Sequence, residues 1–279
     1  MTSSLILLAS CSELPDGDPD TVLLADHLRV AGLQVEVQPW DAPGVDWSKA
    51  PITLIRSTWD YHQRHGEFLD WARSIPTLHN PVALIEWNSD KRYLLDLAED
   101  IPVVPSHVLE DPTPGDVTRI RGEFGWSDVV LKPTVGLDGH GVSKLQAGGA
   151  AMTPRSGTWI LQPLVPEAAT DGEISVVLIE GCVSHAVVRR PPAHDFRAQE
   201  RLGGTVETIV PPSDVVQLAQ AAVEWLPVVP LYARVDVVTC QGQPHLMELE
   251  LVEPSLFFSH SDSALDMITE ALGRLGARG

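Results

Sequence analysis

Asp236 and Glu248 each lie six residues from Gly242. They sit in two apolar runs, residues 231–238 and 245–251, that read as strands joined by a turn. A hairpin centred on Gly242 sets these carboxylates opposite each other, and side-chain alternation puts Arg234 and Glu250 on the same face. Carboxylates crowded on one face repel unless a cation joins them. An oxygen-only set suits Mg²⁺, with phosphate oxygens completing its shell. An arginine–carboxylate network or an edge hairpin with solvated charges would use the same residues. The neighbouring Leu231, Val235, Val237, Leu246, Leu249 and Leu251 oppose a wholly solvated hairpin.

A second chemical stretch spans residues 129–144. An apolar run ends in Lys132, a loop carries Gly136, Gly139 and Gly141, and a short apolar run follows. Glycine lets backbone approach a ligand closely, and loop N–H groups can cradle anionic oxygens beside the fixed charge of Lys132. The stretch is neither a P-loop nor a dinucleotide fingerprint, because its glycines lie between two strand-like runs. The plain alternative is a hairpin turn at Asp138-Gly139. Lysine is scarce here: Lys49, Lys91, Lys132 and Lys144 are the only four. Two of the four flank the glycine loop, and Lys91 opens a helical segment where a nearby anion would offset its unfavourable place in the first turn.

The elements around these residues read as α/β. A short apolar run at 5–9, a helical segment at 20–31 and strands at 33–37 and 52–55 form a parallel βαβ opening. The loop after the first strand lacks the glycines of a nucleotide site, so this half reads as scaffold or second-substrate domain. Arg56, Ser57, Thr58 and Asp60 follow a strand end, where ligands of parallel sheets bind. Arg56 suits a carboxylate, and Ser57 and Thr58 offer hydroxyls. Equally, Ser57, Thr58 or Asp60 caps the helix whose apolar face is Tyr61, His65, Phe68, Ala72 and Ile75. The segment at 87–97 reads as a helix capped by Asn88 or Ser89. Strands at 157–165, 171–179 and 182–188 and helices at 213–226 and 261–275 complete the pattern.

Over 279 residues, 44% hydrophobic and 20% charged content describe a globular protein. A net charge of −19 disfavours nucleic acid and anionic membrane as partners. No apolar run is long enough for a membrane span. The three cysteines fit neither a disulfide framework nor a zinc site, which points to a reduced, cytoplasmic setting.

The order of Lys91, Lys132 with its glycine loop, Gln162-Pro-Leu-Val, Gly172-Glu173, Arg234-x-Asp236 and Glu248-x-Glu250 resembles the ATP-grasp superfamily. Its amide-forming branch, with glutathione synthetase and the D-alanine–D-alanine ligases, is the nearer likeness. Arg56-Ser-Thr-Trp-Asp-Tyr and Trp87-Asn-x-x-Lys-Arg-Tyr-Leu look most like small ligases of bacterial secondary metabolism, of the D-cycloserine synthetase type. The resemblance covers nearly the whole chain. It implies an ATP-grasp fold with an N-terminal parallel-sheet domain at 1–85, a central subdomain at 86–165 and a C-terminal subdomain at 166–279. It implies that Lys91 and Lys132 bind ATP phosphates beneath a loop at Gly136, Gly139 and Gly141. It makes Gln162, Leu164 and Val165 the adenine hinge, Glu173 the ribose acid, and Asp236, Glu248 and Glu250 the ligands of Mg²⁺, two ions being expected. The last metal position is often Asn in this superfamily and is Glu250 here. Arg234 would stabilise the oxyanion of the tetrahedral intermediate, and Arg189 or Arg190 would add a phosphate-binding cation.

The activity so implied is ATP-dependent ligation of an amino-acid-like carboxylate to an amine through an acyl phosphate. A sharper form is an intramolecular cyclo-ligase in antibiotic biosynthesis. Alternatives are a non-catalytic nucleotide-binding regulator and a small-molecule phosphotransferase. Arg56, Ser57, Thr58, Asp60 and Arg197 are the residues expected on the second substrate. Many members of the superfamily are dimers, and the apolar N-terminal half is compatible with a homodimer.

Overall fold

The computed structural model describes residues 5–276 apart from 138, 150, 151 and 199. The apolar run Leu5–Ser10 (β1) pairs in parallel with Gln34–Pro39 (β2) and Ile52–Ile55 (β3). Between β1 and β2 lies α1, Pro19–Val30, started by an Asp18 cap on the Thr21 N–H and by proline in its first turn. After α2 (His65–Ser74), β4 (Leu78–His79) completes the sheet in the order β2-β1-β3-β4. This is the βαβ opening read from the sequence. Helix α3 (Val82–Asn88) and the short α4 (Tyr93–Leu97) lead out of it. Asn88 therefore ends a helix instead of capping the next, and Ser89 is the C-cap of α3. The domain boundary drawn at residue 85 falls inside α3.

The middle of the chain builds a second sheet. It holds β5 (His107–Glu110), β6 (Val129–Pro133), β7 (Ser143–Leu145) and β8 (Thr158–Pro163) in the order β5-β8-β6-β7. Helix α5 (Pro114–Phe124) covers one face through Val117 and Ile120. Its start is a Thr113–Asp116 capping box, and Gly125 ends it in the left-handed conformation. Alternation along β6 buries Val129 and Leu131 against α5 and turns Val130 and Lys132 to the opposite side.

The short α6 (Glu167–Thr170) leads into the third sheet. Its strands are β9 (Glu173–Ile179), β10 (Cys182–Arg190) and β11 (Thr205–Ile209), and, after α7 (Ser213–Glu224), β12 (Tyr232–Cys240) and β13 (Gln243–Glu250). The order is β11-β10-β9-β12-β13, all antiparallel. One face, with Val176, Leu178, Ala233, Val235, Val237, Leu246 and Leu249, packs on α4 and α7. On the other face Val177, Ile179, Val187 and Tyr232 join Ile6, Leu8, Ile52 and Leu54 of the N-terminal sheet. The last helix, α8 (Ala264–Gly276), lies in that same cluster with Ile268, Ala271 and Leu272. The N-terminal layer thus shares its core with the C-terminal elements. None of the described helices is long and apolar enough to cross a membrane.

Two asparagines fasten the layers. Asn80 donates to the carbonyls of Tyr232 and Leu251 at 2.9 and 2.8 Å and accepts from Leu231 N at 2.7 Å. Asn88 donates to Leu249 O and accepts from Leu251 N, at 2.8 and 2.7 Å. Asn80 is fully buried, so Asn80→Ala would strand three backbone groups with no water to replace the amide. We expect a loss of roughly 3–5 kcal/mol, at about 1–3 kcal/mol per orphaned group before relaxation. Urea unfolding checks this, and a change below about 1 kcal/mol would mean that Asn80 does not fasten the layers.

Candidate active site

Strands β12 and β13 meet in a two-residue turn, Gln241-Gly242, with φ of 53° and 77°. Both residues have the positive φ that such turns require. Counted from this turn alone, Asp236 would oppose Met247, and Glu248 would point to the other face. A β-bulge between Asp236 and Val237 shifts the register, so Asp236 pairs with Glu248 and Arg234 with Glu250. One extra residue at Met247 therefore brings the carboxylates together.

They line a cavity of about 850 Å³ between the second and third sheets. Val130, Lys132 and Gln162 face it from one side, and Glu173, Arg189, Arg234, Asp236, Glu248 and Glu250 from the other. Gly136, Gly139 and Gly141 belong to the β6–β7 hairpin loop, and Gly136 and Gly139 line the cavity. A Cβ on Gly136 would come within 2.9 Å of the Pro133 ring. The stretch is a hairpin, and its loop borders the cavity. Asp138 lies outside the described residues. Gln162 is buried with its amide on Ser106, and the Leu164 N–H donates to Asp128 O. Leu164 and Val165 line the cavity too.

Charge is paired across the floor. Lys91 lies one residue before the cap of α4, not in its first turn. Its Nζ contacts Glu248 Oε1 at 2.9 Å and donates to Gly136 O at 2.6 Å. The adjacent Asp90 pairs with Arg92. Arg189 bridges Glu173 and Asp236, the latter at 2.8 Å, whereas Arg190 points outward to Glu207. Arg189 is thus the inward member of that pair. Gly172, at φ 86°, precedes Glu173 where a Cβ would lie 2.7 Å from Arg189 O. Arg234 binds Asp236 and Glu250, and Ser175 donates to Asp236 at 2.6 Å.

These contacts set the ionisation. Burial alone would raise Asp236, but Arg189 and Arg234 outweigh it and hold the carboxyl at about 2. Burial pushes Glu250 and Glu173 up to about 7 against their arginines. Glu248 is lowered, because Lys91 and Lys132 together outweigh burial. Burial lowers Lys132, with Lys91 adding repulsion. Among the described residues no group of three carboxylates, imidazoles or thiols stands ready as a metal cluster. Asp236, Glu248 and Glu250 are each turned onto a cation. Their all-oxygen chemistry nonetheless fits Mg²⁺, provided those ion pairs open.

The residues expected on the second substrate divide. Arg197 lines the cavity, paired with Asp195 at 2.7 Å and donating to Gly139 O at 3.3 Å. Arg56, Ser57, Thr58 and Asp60 do not line it, because β3 ends inside the protein. Arg56 donates to Pro254 O at 2.9 Å, and Ser57 bonds with Asp18 and Thr21. Asp60 accepts from Trp40 and Arg64, and Thr58 is fully buried. Their neighbours Trp59 and Tyr61 reach the cavity instead. Glu253, which the sequence reading passed over, also lines it. Its signal was local: a carboxylate between Val252 and Pro254, close behind the two hairpin glutamates.

The family described as the N-terminal domain of the D-cycloserine synthetase DcsG matches residues 6–83. The cycloserine biosynthesis protein DcsG of Streptomyces lavendulae is 29% identical over 96% of this chain and 97% of its own. The crystal structure of D-cycloserine synthetase DcsG superposes with a TM-score of 0.84 at 27% identity, over 98% of this chain and 100% of that one. The ATP-grasp ligase PsnB, solved with Mg and ADP, has a TM-score of 0.68 at 16% identity, over 98% and 99% of the two chains.

Proposed function

We propose that this chain, similar over nearly its whole length to the cycloserine biosynthesis protein DcsG, is an ATP-grasp ligase that closes an amide within one amino-acid-like substrate at the expense of ATP. The observation that carries this is the cavity between two sheets, with Lys132 on one wall and Arg234, Asp236, Glu248 and Glu250 on the other. The relative from Streptomyces lavendulae is named for the biosynthesis of cycloserine, itself a cyclic amide, which favours the intramolecular form.

Resonance makes a carboxylate a poor electrophile. Attack of its oxygen on the γ-phosphorus, with ADP leaving, yields an acyl phosphate. The amine nitrogen then adds to the acyl carbon, loses its proton, and expels phosphate. Lys91, Lys132 and Arg189 would bind the transferring phosphoryl group, and Arg234 the oxyanion of the adduct. Gln162, Leu164 and Val165 would hold adenine, and Glu173 ribose. Asp236, Glu248 and Glu250 would hold Mg²⁺, two ions being our reading, which neutralises phosphate charge. The glycine loop would keep water from the acyl phosphate.

The test is nucleotide turnover with product mass spectrometry. Protein, Mg-ATP and a panel of amino acids and small carboxylates, including O-ureido-D-serine, are incubated with and without added amines. ADP, phosphate and a ring-closed product from one substrate without added amine are expected. A product joining two substrates would replace the cyclising form with an intermolecular one. A phosphorylated product without an amide, or binding without turnover on the whole panel, would overturn the ligase.

A further inference from the structure

Five of the six carboxylates lining the cavity already have cationic partners: Glu173, Asp195, Asp236, Glu248 and Glu250. Glu253 has none among the described residues, and its Oε2 is buried without a hydrogen bond. An unpaired buried carboxylate oxygen is costly and calls for a donor. The segment carrying it is held on two carbonyls. Arg56 donates to Pro254 O at 2.9 Å and Arg234 to Ser255 O at 3.3 Å. Glu253 is therefore a positioned group, not a loose side chain.

Its surroundings say what it waits for. Burial, and after it the charge of Glu253, raises the pKa of the Tyr61 hydroxyl, at the wall supplied by the N-terminal layer. Lys91 and Arg234 are near enough to feel its charge, yet both are already committed to Glu248, Glu250 and Asp236. Burial, with Glu250 beside it, lifts the Glu253 carboxyl to about 8, so a cationic group brought by the ligand would find an uncommitted partner there. Resting on the ligase reading above, we propose that Glu253 pairs with the free ammonium group of the amino-acid substrate and selects for it. Arg56 positions Glu253 through Pro254. This replaces the direct substrate contact expected of Arg56 with an indirect one.

The test compares wild type with Glu253→Gln on O-ureido-D-serine and on 3-(ureidooxy)propanoate, the same skeleton without the α-amine. Glu253→Gln keeps the side-chain shape and removes a buried acid whose ionisation the fold disfavours, so its melting temperature near neutral pH should equal or exceed that of wild type. KM for the amino acid should rise about 30-fold or more, with kcat changed far less and the Kd of a non-hydrolysable ATP analogue unchanged. The preference of wild type for the amine-bearing compound should largely vanish in the variant. Glu253→Asp should recover part of it. An unchanged KM in a folded variant overturns the inference while leaving the ligase intact. A shift in Mg²⁺ dependence at constant KM would make Glu253 a metal-site residue and also overturn it. Absence of ADP formation by wild type on every panel compound overturns both.

Discussion

Glu248→Gln is expected to reduce ADP formation by about 10³-fold or more, with the fold retained. Glu248 stands opposite Asp236 in the register, and its Oε1 lies 2.9 Å from Lys91 Nζ. The amide keeps volume and one acceptor oxygen but removes the charge that Lys91 and Mg²⁺ would both require. Loss of a single preorganised electrostatic contact in a water-poor site lowers turnover by about 10²–10³-fold. Here the one change affects both a proposed metal ligand and the position of a proposed phosphate-binding lysine. Steady-state ADP release reads the effect, and excess Mg²⁺ should recover only part of it. Turnover within about tenfold of wild type would remove Glu248 from the proposed metal set.

Lys132→Met is expected to move activity and stability in opposite directions. Lys132 is 7% exposed and, among the described residues, makes no ion pair. Burial lowers its pKa, so the folded state disfavours its charge relative to the unfolded chain. That penalty is fully present below the lowered pKa of the folded state and fades as pH rises from there to the ordinary lysine pKa, above which it is gone. A methionine of similar length removes it, and the melting temperature should rise by a few degrees near neutral pH. Turnover should fall by about 10²-fold or more, because no other cation projects from β6 toward the proposed phosphate site. Thermal unfolding and ADP release are measured on one preparation. A variant that is less stable and still active would assign Lys132 to the scaffold.

The parallel opening, the helices at both ends and the carboxylate hairpin were legible because each depends on local period and on short-range pairing. The hairpin succeeded through two compensating displacements. The turn lies half a residue before Gly242, and the bulge at Met247 restores the pairing. No period in the sequence announces a bulge. Lys91 was recognisable as unusual, but its partner Glu248 is 157 positions away and arrives only through tertiary packing. Arg56 illustrates the converse: a strand-end arginine looks like a ligand grip until the layers close over it. The α5 start went unread although Thr113-Pro-x-Asp116 is a capping signal, because its flanks are polar and carry weak hydrophobic period. Glu253 was missed because a single carboxylate acquires meaning only when every neighbouring one is seen to be paired.

The shared core of the N-terminal sheet and α8 has a consequence for biosynthesis. Ile6 and Leu8 are synthesised long before Ile268, Ala271 and Leu272 of the same cluster. The nascent N-terminal sheet must wait with one apolar face uncovered, a situation that favours chaperone capture and slow, high-contact-order closure after release. Stalling translation just before residue 264 should therefore leave a protease-sensitive nascent chain, even though every described cavity-lining residue has already been made.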